Sequence, residues 1–123
     1  MQTIFSITDL QNQLAKFRVN NLSIGLVPTM GNLHDGHIKL IKEAKKTSDI
    51  VVSSIFVNPM QFGEGEDLAK YPRTLDEDKA KLETANCDIL FVPTVEEIYG
   101  SKLSTQTVIS VPQLSLDLCG KTR

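Results

Sequence analysis

The chain has 123 residues, 41% hydrophobic and 23% charged, with a formal net charge of −2. That suffices for one small domain with a core and not for two. It lacks the basic excess that would draw nucleic acid or an anionic membrane surface as a partner. Two cysteines make no disulfide framework, which suits the reducing cytoplasm. No apolar run is long enough to span a membrane, and MQTIFSITDL lacks the basic-then-apolar layout of a signal peptide.

In chain order, Ser6 offers an N-cap with Asp9 three residues on, close to a capping box. Ile7, Leu10, Leu14 and Phe17 share one helical face, so the pattern predicts an amphipathic helix over 7–18. Asn20-Asn21 breaks it, and Leu22 to Val27 (LSIGLV) reads as a buried strand. Residues 38–46 (IKLIKEAKK) read as a helix burying Ile38, Leu40, Ile41 and Ala44, with Lys39, Lys42, Lys45 and Lys46 on a solvated face.

Between strand and helix stands PTMGNLHDGH, Pro28 to His37, with both histidines of the chain. Its glycines suit a turn where backbone must approach something closely. A helix starting near Asp35 would face the turn with free N–H groups and its positive dipole end, a ready anion site. His34 and His37, three apart, would share the first turn and point at the same anion. Two other readings stand beside this one. The pair could bind a metal with a third ligand, although Cys87 and Cys119 lie far off in sequence. Either ring could also be an ordinary satisfied histidine at a helix start.

Ile50 to Val57 (IVVSSIFV) suits a central strand buried on both faces and paired in parallel. Strand, helix and strand then form a right-handed βαβ unit. Ligands of such sheets sit beyond the carboxyl ends of the strands, so PTMG and Asn58 to Gly63 (NPMQFG) should meet in space. Asn58 and Gln61 read either as turn chemistry or as groups holding the hydroxyl and carboxylate of a small acid. Gly63 to Asp67 reads as a mobile acidic loop. Thr74 and Glu77 form a predicted capping box for a helix to about Ala85, burying Leu75, Leu82 and Ala85. Cys87 to Val92 is a third strand, with Cys87 a small buried hydrophobe and not a nucleophile. Thr94 caps a short helix through Tyr99. Thr105 to Val111 reads as a short strand at an edge or outside the main sheet, and Leu114 to Leu118 as a helical turn.

PTMGNLHDGH resembles the PTMGALHEGH signature of pantothenate synthetases (pantoate–β-alanine ligases), with Asn32 for Ala and Asp35 for Glu. His34-Asp35-Gly36-His37 alone matches the wider HIGH-motif nucleotidyltransferase superfamily. Thr29-Met30-Gly31 narrows it, and the NPxQF of Asn58 to Phe62 and intact Tyr71-Pro72-Arg73-Thr74 resemble the same family. Val92 to Gly100 is similar to the family's VPxxEExYP-like stretch, with Gly100 in place of proline. Cys119 to Arg123 looks like the start of its G-x-x-RPGHF segment.

The resemblance implies an α/β, Rossmann-like open parallel sheet, here three strands with helices. It implies ATP- and Mg²⁺-dependent joining of (R)-pantoate to β-alanine through a pantoyl adenylate, with β-alanine's amine then displacing AMP. On that reading ATP lies against Met30, Gly31, Asn32, Leu33, His34, Asp35, Gly36 and His37. His34 and His37 are catalytic, stabilising phosphate charge, and His37 is the proton donor. Gln61, Met30 and Asn58 hold pantoate, and Gln61 lies beside β-alanine; Tyr71 and Arg123 are further candidates. The resemblance covers only the N-terminal part of the family's length. Residues 1–123 are therefore expected to form an incomplete nucleotide-binding domain without the C-terminal lid, with impaired activity. The sheet edge left open at Leu22 to Val27 is expected to be covered by a second copy in a homodimer. Two alternatives remain: another HIGH-motif nucleotidyltransferase, which would carry a GTFDxxHxGH-like lead-in, or a non-catalytic nucleotide-binding fragment.

Overall fold

A computed structural model describes residues 1–59 and 74–100. Gln61, the 63–67 loop, Tyr71 to Arg73, the 105–111 and 114–118 elements and Arg123 lie outside the described residues. The element order is β1 (Gln2–Ile4), α1 (Ile7–Val19), β2 (Ile24–Thr29), α2 (Asp35–Thr47), β3 (Ile50–Ile55), α3 (Leu75–Thr84), β4 (Ile89–Phe91) and α4 (Val95–Tyr99).

All strand pairs are parallel, in the order β1-β4-β3-β2. The chain starts at one edge, crosses to the other through α1, and returns strand by strand through α2 and α3. Among the described residues the sheet therefore has four strands where three were expected. The extra one is β1, registered on β4 from Gln2↔Ile89 to Ile4↔Phe91. Three residues are too few to show a period of two, so only the pairing reveals it. Among the described residues β2 is the opposite edge, as expected.

The pleat sends alternate side chains to opposite layers. Val51 and Ile55 join Val27, Ile41, Leu82 and Leu90 beneath α2 and α3. Val52, Ile89 and Phe91 join Ile4, with Ile7, Leu10, Leu14 and Phe17 of α1 packed against them. Burying Ile41 or Leu82, each 0% exposed, stabilises the domain by roughly 1.5–3 kcal/mol. Buried Ser53 is satisfied by donating its hydroxyl to Val27 O at 3.0 Å. Cys87 is buried as a small hydrophobe, and burial pushes its thiol up from the ordinary value.

Several side-chain expectations are corrected. Leu40 is 56% exposed and Leu75 36% exposed. In α2 the buried stripe runs through Ile38, Ile41 and Ala44, and Leu40 is one residue, about 100°, off that stripe. Lys45 is not wholly solvated: Nζ meets Asp88 Oδ2 at 3.0 Å, and the same oxygen accepts from Val51 N–H at 2.8 Å. Thr74 is the N-cap residue of α3 but makes no capping bond, so the predicted capping box is absent. Its hydroxyl is drawn instead to Asp78, 3.0 Å away. At α4 the expected cap forms, with Glu97 N–H donating to Thr94 Oγ1 at 3.1 Å.

Candidate active site

The loops leaving the carboxyl ends of β2, β3 and β4 gather on one side of the sheet, where open parallel sheets bind ligands. They line two adjoining clefts. One, about 440 Å³, is bounded by Pro28, Thr29, Met30, Gly31, His37, Ser54, Phe56 and Asn58. The other, about 270 Å³, is mainly apolar, with Ile55, Phe56, Val57, Val92, Pro93 and Val95 around Met30 and Gly31. The PTMG turn and the start of NPMQFG thus meet, as the βαβ reading expects. The β2 end is tied to β3 by Phe56 N–H on Thr29 O at 3.0 Å and Thr29 Oγ1 on Ser54 O at 2.8 Å. Asn58 accepts from the Tyr99 hydroxyl at 2.7 Å, which joins α4 to this rim.

The two histidines start α2 together. His34 is the N-cap residue, and Gly36 N–H donates to its Nδ1 at 3.0 Å. His34 N–H in turn donates to His37 Nδ1 at 3.1 Å. This is a reciprocal cap in which imidazoles replace the usual hydroxyl and carboxylate. It brings the ring centroids to 4.1 Å. Because each Nδ1 accepts, the proton of each neutral ring lies on Nε2, away from the backbone. Burial, then the neighbouring His34, lowers the pKa of His37 from its ordinary 6.5, with Asp78 opposing. His37 is therefore neutral at pH 7.

Gly36 is explained by the same geometry. A Cβ there would lie 2.8 Å from His34 Cε1 and 3.0 Å from Nδ1, inside contact distance. The glycine of His-x-Gly-His is thus the space into which the first ring folds. Gly31 has φ +83, and a Cβ on it would press Asp78 Oδ2 and Ile55 at 3.2 Å. Both the left-handed backbone and the close approach require glycine.

The sequence reading of free amides at this turn is corrected. Gly31 N–H donates to Thr29 Oγ1 at 3.1 Å, and Asn32 and Leu33 N–H donate to the two carboxylate oxygens of Asp78 at 2.9 Å each. With His34 and Gly36 serving the imidazole cap, these amides already have partners. The N–H groups left over at this turn are those of Met30 and Asp35, together with the imidazole Nε2–H donors. Asp78, 1% exposed, is a residue that the sequence reading missed. Its signal was present: Asp78, Leu82 and Ala85 follow helical spacing on the stripe that packs inward, so an acid stood on an apolar face. Lys81, whose Nζ reaches Leu33 O at 2.8 Å, was missed as well.

Residues 2–123 match the family described as pantoate-beta-alanine ligase. The chain belongs to that family. It is 56% identical over 123 residues to the pantothenate synthetase of Pseudomonas fluorescens (strain Pf0-1), covering all of this chain and 43% of that protein. It is 54% identical to that of Alteromonas mediterranea, covering 44% of it. Among solved structures it resembles pantothenate synthetase from Thermus thermophilus, with TM-score 0.78 and 40% identity over 42% of that chain. It also resembles the pantoate-beta-alanine ligase of Francisella tularensis complexed with beta-gamma ATP and beta-alanine, with TM-score 0.86 and 36% identity over 46% of that chain. The chain thus spans less than half the length of the ligases it matches. Membership settles the choice against another HIGH-motif nucleotidyltransferase family.

No helix among the described residues is long and apolar enough to cross a membrane. Nor do the described residues contain a group of three or more His, Cys, Asp or Glu able to hold a metal ion.

Proposed function

We propose that this chain supplies the ATP-handling portion of a pantoate–β-alanine ligase, in the cytoplasm. The observation that carries the reading is the paired imidazoles. Two Nε2–H donors stand side by side at a helix start, at the carboxyl ends of parallel strands and beside an open cleft. N–H donors and the positive end of a helix dipole favour an anion there. ATP would lie against Met30 to His37, its phosphates facing His34 and His37, and pantoate would lie in the cleft by Met30 and Asn58 with Gln61.

In the full reaction a pantoate carboxylate oxygen attacks the α-phosphorus of ATP, and the α–β bridging oxygen leaves with pyrophosphate. The β-alanine amine then attacks the pantoyl carbonyl carbon, AMP leaves, and the amine loses a proton as the amide forms. Such transfers depend on positioning and on donors aimed at developing charge. His34 and His37 donate to the oxygens on which that charge accumulates. Magnesium would enter as the counter-ion of the substrate triphosphate.

Calorimetric titration with magnesium–ATP, and separately with pantoate, tests the reading. ATP binding that is lost in His34→Ala and His37→Ala supports it; a folded wild-type chain binding neither ligand overturns it. The expected homodimer, through the free edge of β2, belongs to the same proposal. Light scattering should give twice the 13.6 kDa chain mass, and a monomer at all concentrations would reject it.

A further inference from the structure

The segment before His34 is held in an unusual way. Gly31 and Asn32 are both left-handed, at φ +83 and +52. That doubles the chain back so that the next two amides converge. Converging amides of this kind make an anion-binding concavity, and here the anion is the protein's own. Asp78 Oδ2 accepts from Asn32 N–H and Oδ1 from Leu33 N–H, each at 2.9 Å, while Thr74 Oγ1 donates to Oδ2 at 3.0 Å. Three donors and no acceptor converge, which suits a carboxylate. Among the described residues no ion pair forms on Asp78. One turn further along α3, Lys81 Nζ donates to Leu33 O at 2.8 Å. Leu33, whose side chain is buried, is thus gripped at its N–H and its C=O by one helix, immediately before the first imidazole.

We propose that Asp78 and Lys81 are positioning residues of the imidazole pair, clamping Leu33 from α3 and so setting where His34 and His37 stand. Neither bonds to an imidazole nitrogen; both act through the loop. The charged or titratable groups acting on His37 are His34, on its own helix, and Asp78, on α3. Loss of the Asp78 charge therefore also moves the titration of His37 further down. For its ligand arm alone, the proposal rests on the ATP reading above.

The test uses the full chain and the variants Asp78→Asn and Lys81→Met, with Lys46→Met as a surface control. Imidazole ¹⁵N spectra are followed through pH, and magnesium–ATP is titrated calorimetrically. In wild type both rings should show protons on Nε2. Asp78→Asn should give a mixed tautomer signature and a lower His37 midpoint. Lys81→Met, which removes one ammonium and its bond to Leu33 O, should keep the fold, shift both imidazole signals and weaken ATP binding roughly tenfold, the scale of one lost charge-assisted hydrogen bond. Lys46→Met should match wild type in every respect. Folded Asp78→Asn and Lys81→Met proteins with wild-type imidazole spectra would overturn the clamp as a positioning device. If Asp78→Asn does not fold, Lys81→Met decides alone. The spectral arm needs no ATP, so a wild-type chain that fails to bind ATP counts against the ligase reading and leaves the clamp to its own result.

Discussion

Helices α1 and α2 each run for 13 residues, yet they begin by different chemistry. At α1, Ser6 Oγ accepts from Asp9 N–H at 3.1 Å, and Glu97 of α4 reaches across to take Ile7 N–H at 2.7 Å. These caps satisfy orphan amides and fasten the helix to its neighbour. At α2 the caps are imidazoles, and each ring has a second nitrogen. One nitrogen of each ring caps the helix and the other is left over, and His37 lines the cleft. The difference separates a helix start built for folding from one built to present donors. On the proposed function the capping groups of α2 double as its site, and the loop before them is fixed from α3.

The comparison can be broken at several points. The largest effect is expected from Asp78→Ala, which strands the Asn32 and Leu33 amides and the Thr74 hydroxyl. Denaturant unfolding should show a loss of about 2–4 kcal/mol, the scale of breaking a buried polar network. Gly36→Ala comes next. The added Cβ must displace the His34 ring, so ATP affinity should fall at least about tenfold, while far-ultraviolet circular dichroism keeps its helical signal. The matching change at α1, Ser6→Ala, should cost about 1 kcal/mol of stability and leave ATP affinity alone; an affinity loss equal to that of Gly36→Ala would erase the distinction between the two starts.

The smallest effect is in pH. The folded pKa of His37 lies below its ordinary 6.5, so between those values the unfolded chain binds the proton more readily. Stability should therefore decline as pH falls below about 6.5 and stop declining once the folded ring itself is protonated. A proton on Nδ1 turns the acceptor of His34 N–H into a donor, so the cap opens in the same range. His37→Gln should flatten this part of the stability profile, whereas Ser6→Ala should not alter its shape.

Much of this was legible in the chain itself. The β-branched run at Ile50 announced the central parallel strand, because a strand buried on both faces has no polar alternation to keep. Ser6 and Thr94 announced helix starts, because a hydroxyl just before an apolar helical stripe has a local partner. His34 and His37 were legible as a pair, since an N-cap residue and the third helical residue lie within one turn of each other and can cap reciprocally. Thr74 misled. Its spacing to Glu77 promised a local cap, and a partner brought in by folding, the buried Asp78, outcompeted it.

The sequence by itself determined the order of elements from α1 to α4, the parallel pairing around β3 and the closeness of the two rings, because these follow from contacts within a few residues or from periodicity. Only the tertiary structure decided that β1 joins the sheet, that Leu40 faces outward, and that the amides of Asn32 and Leu33 are closed by an acid 46 and 45 residues away. Those outcomes depend on which groups meet across the fold. A buried amide takes the best acceptor that packing brings within reach, and sequence spacing carries no record of that competition.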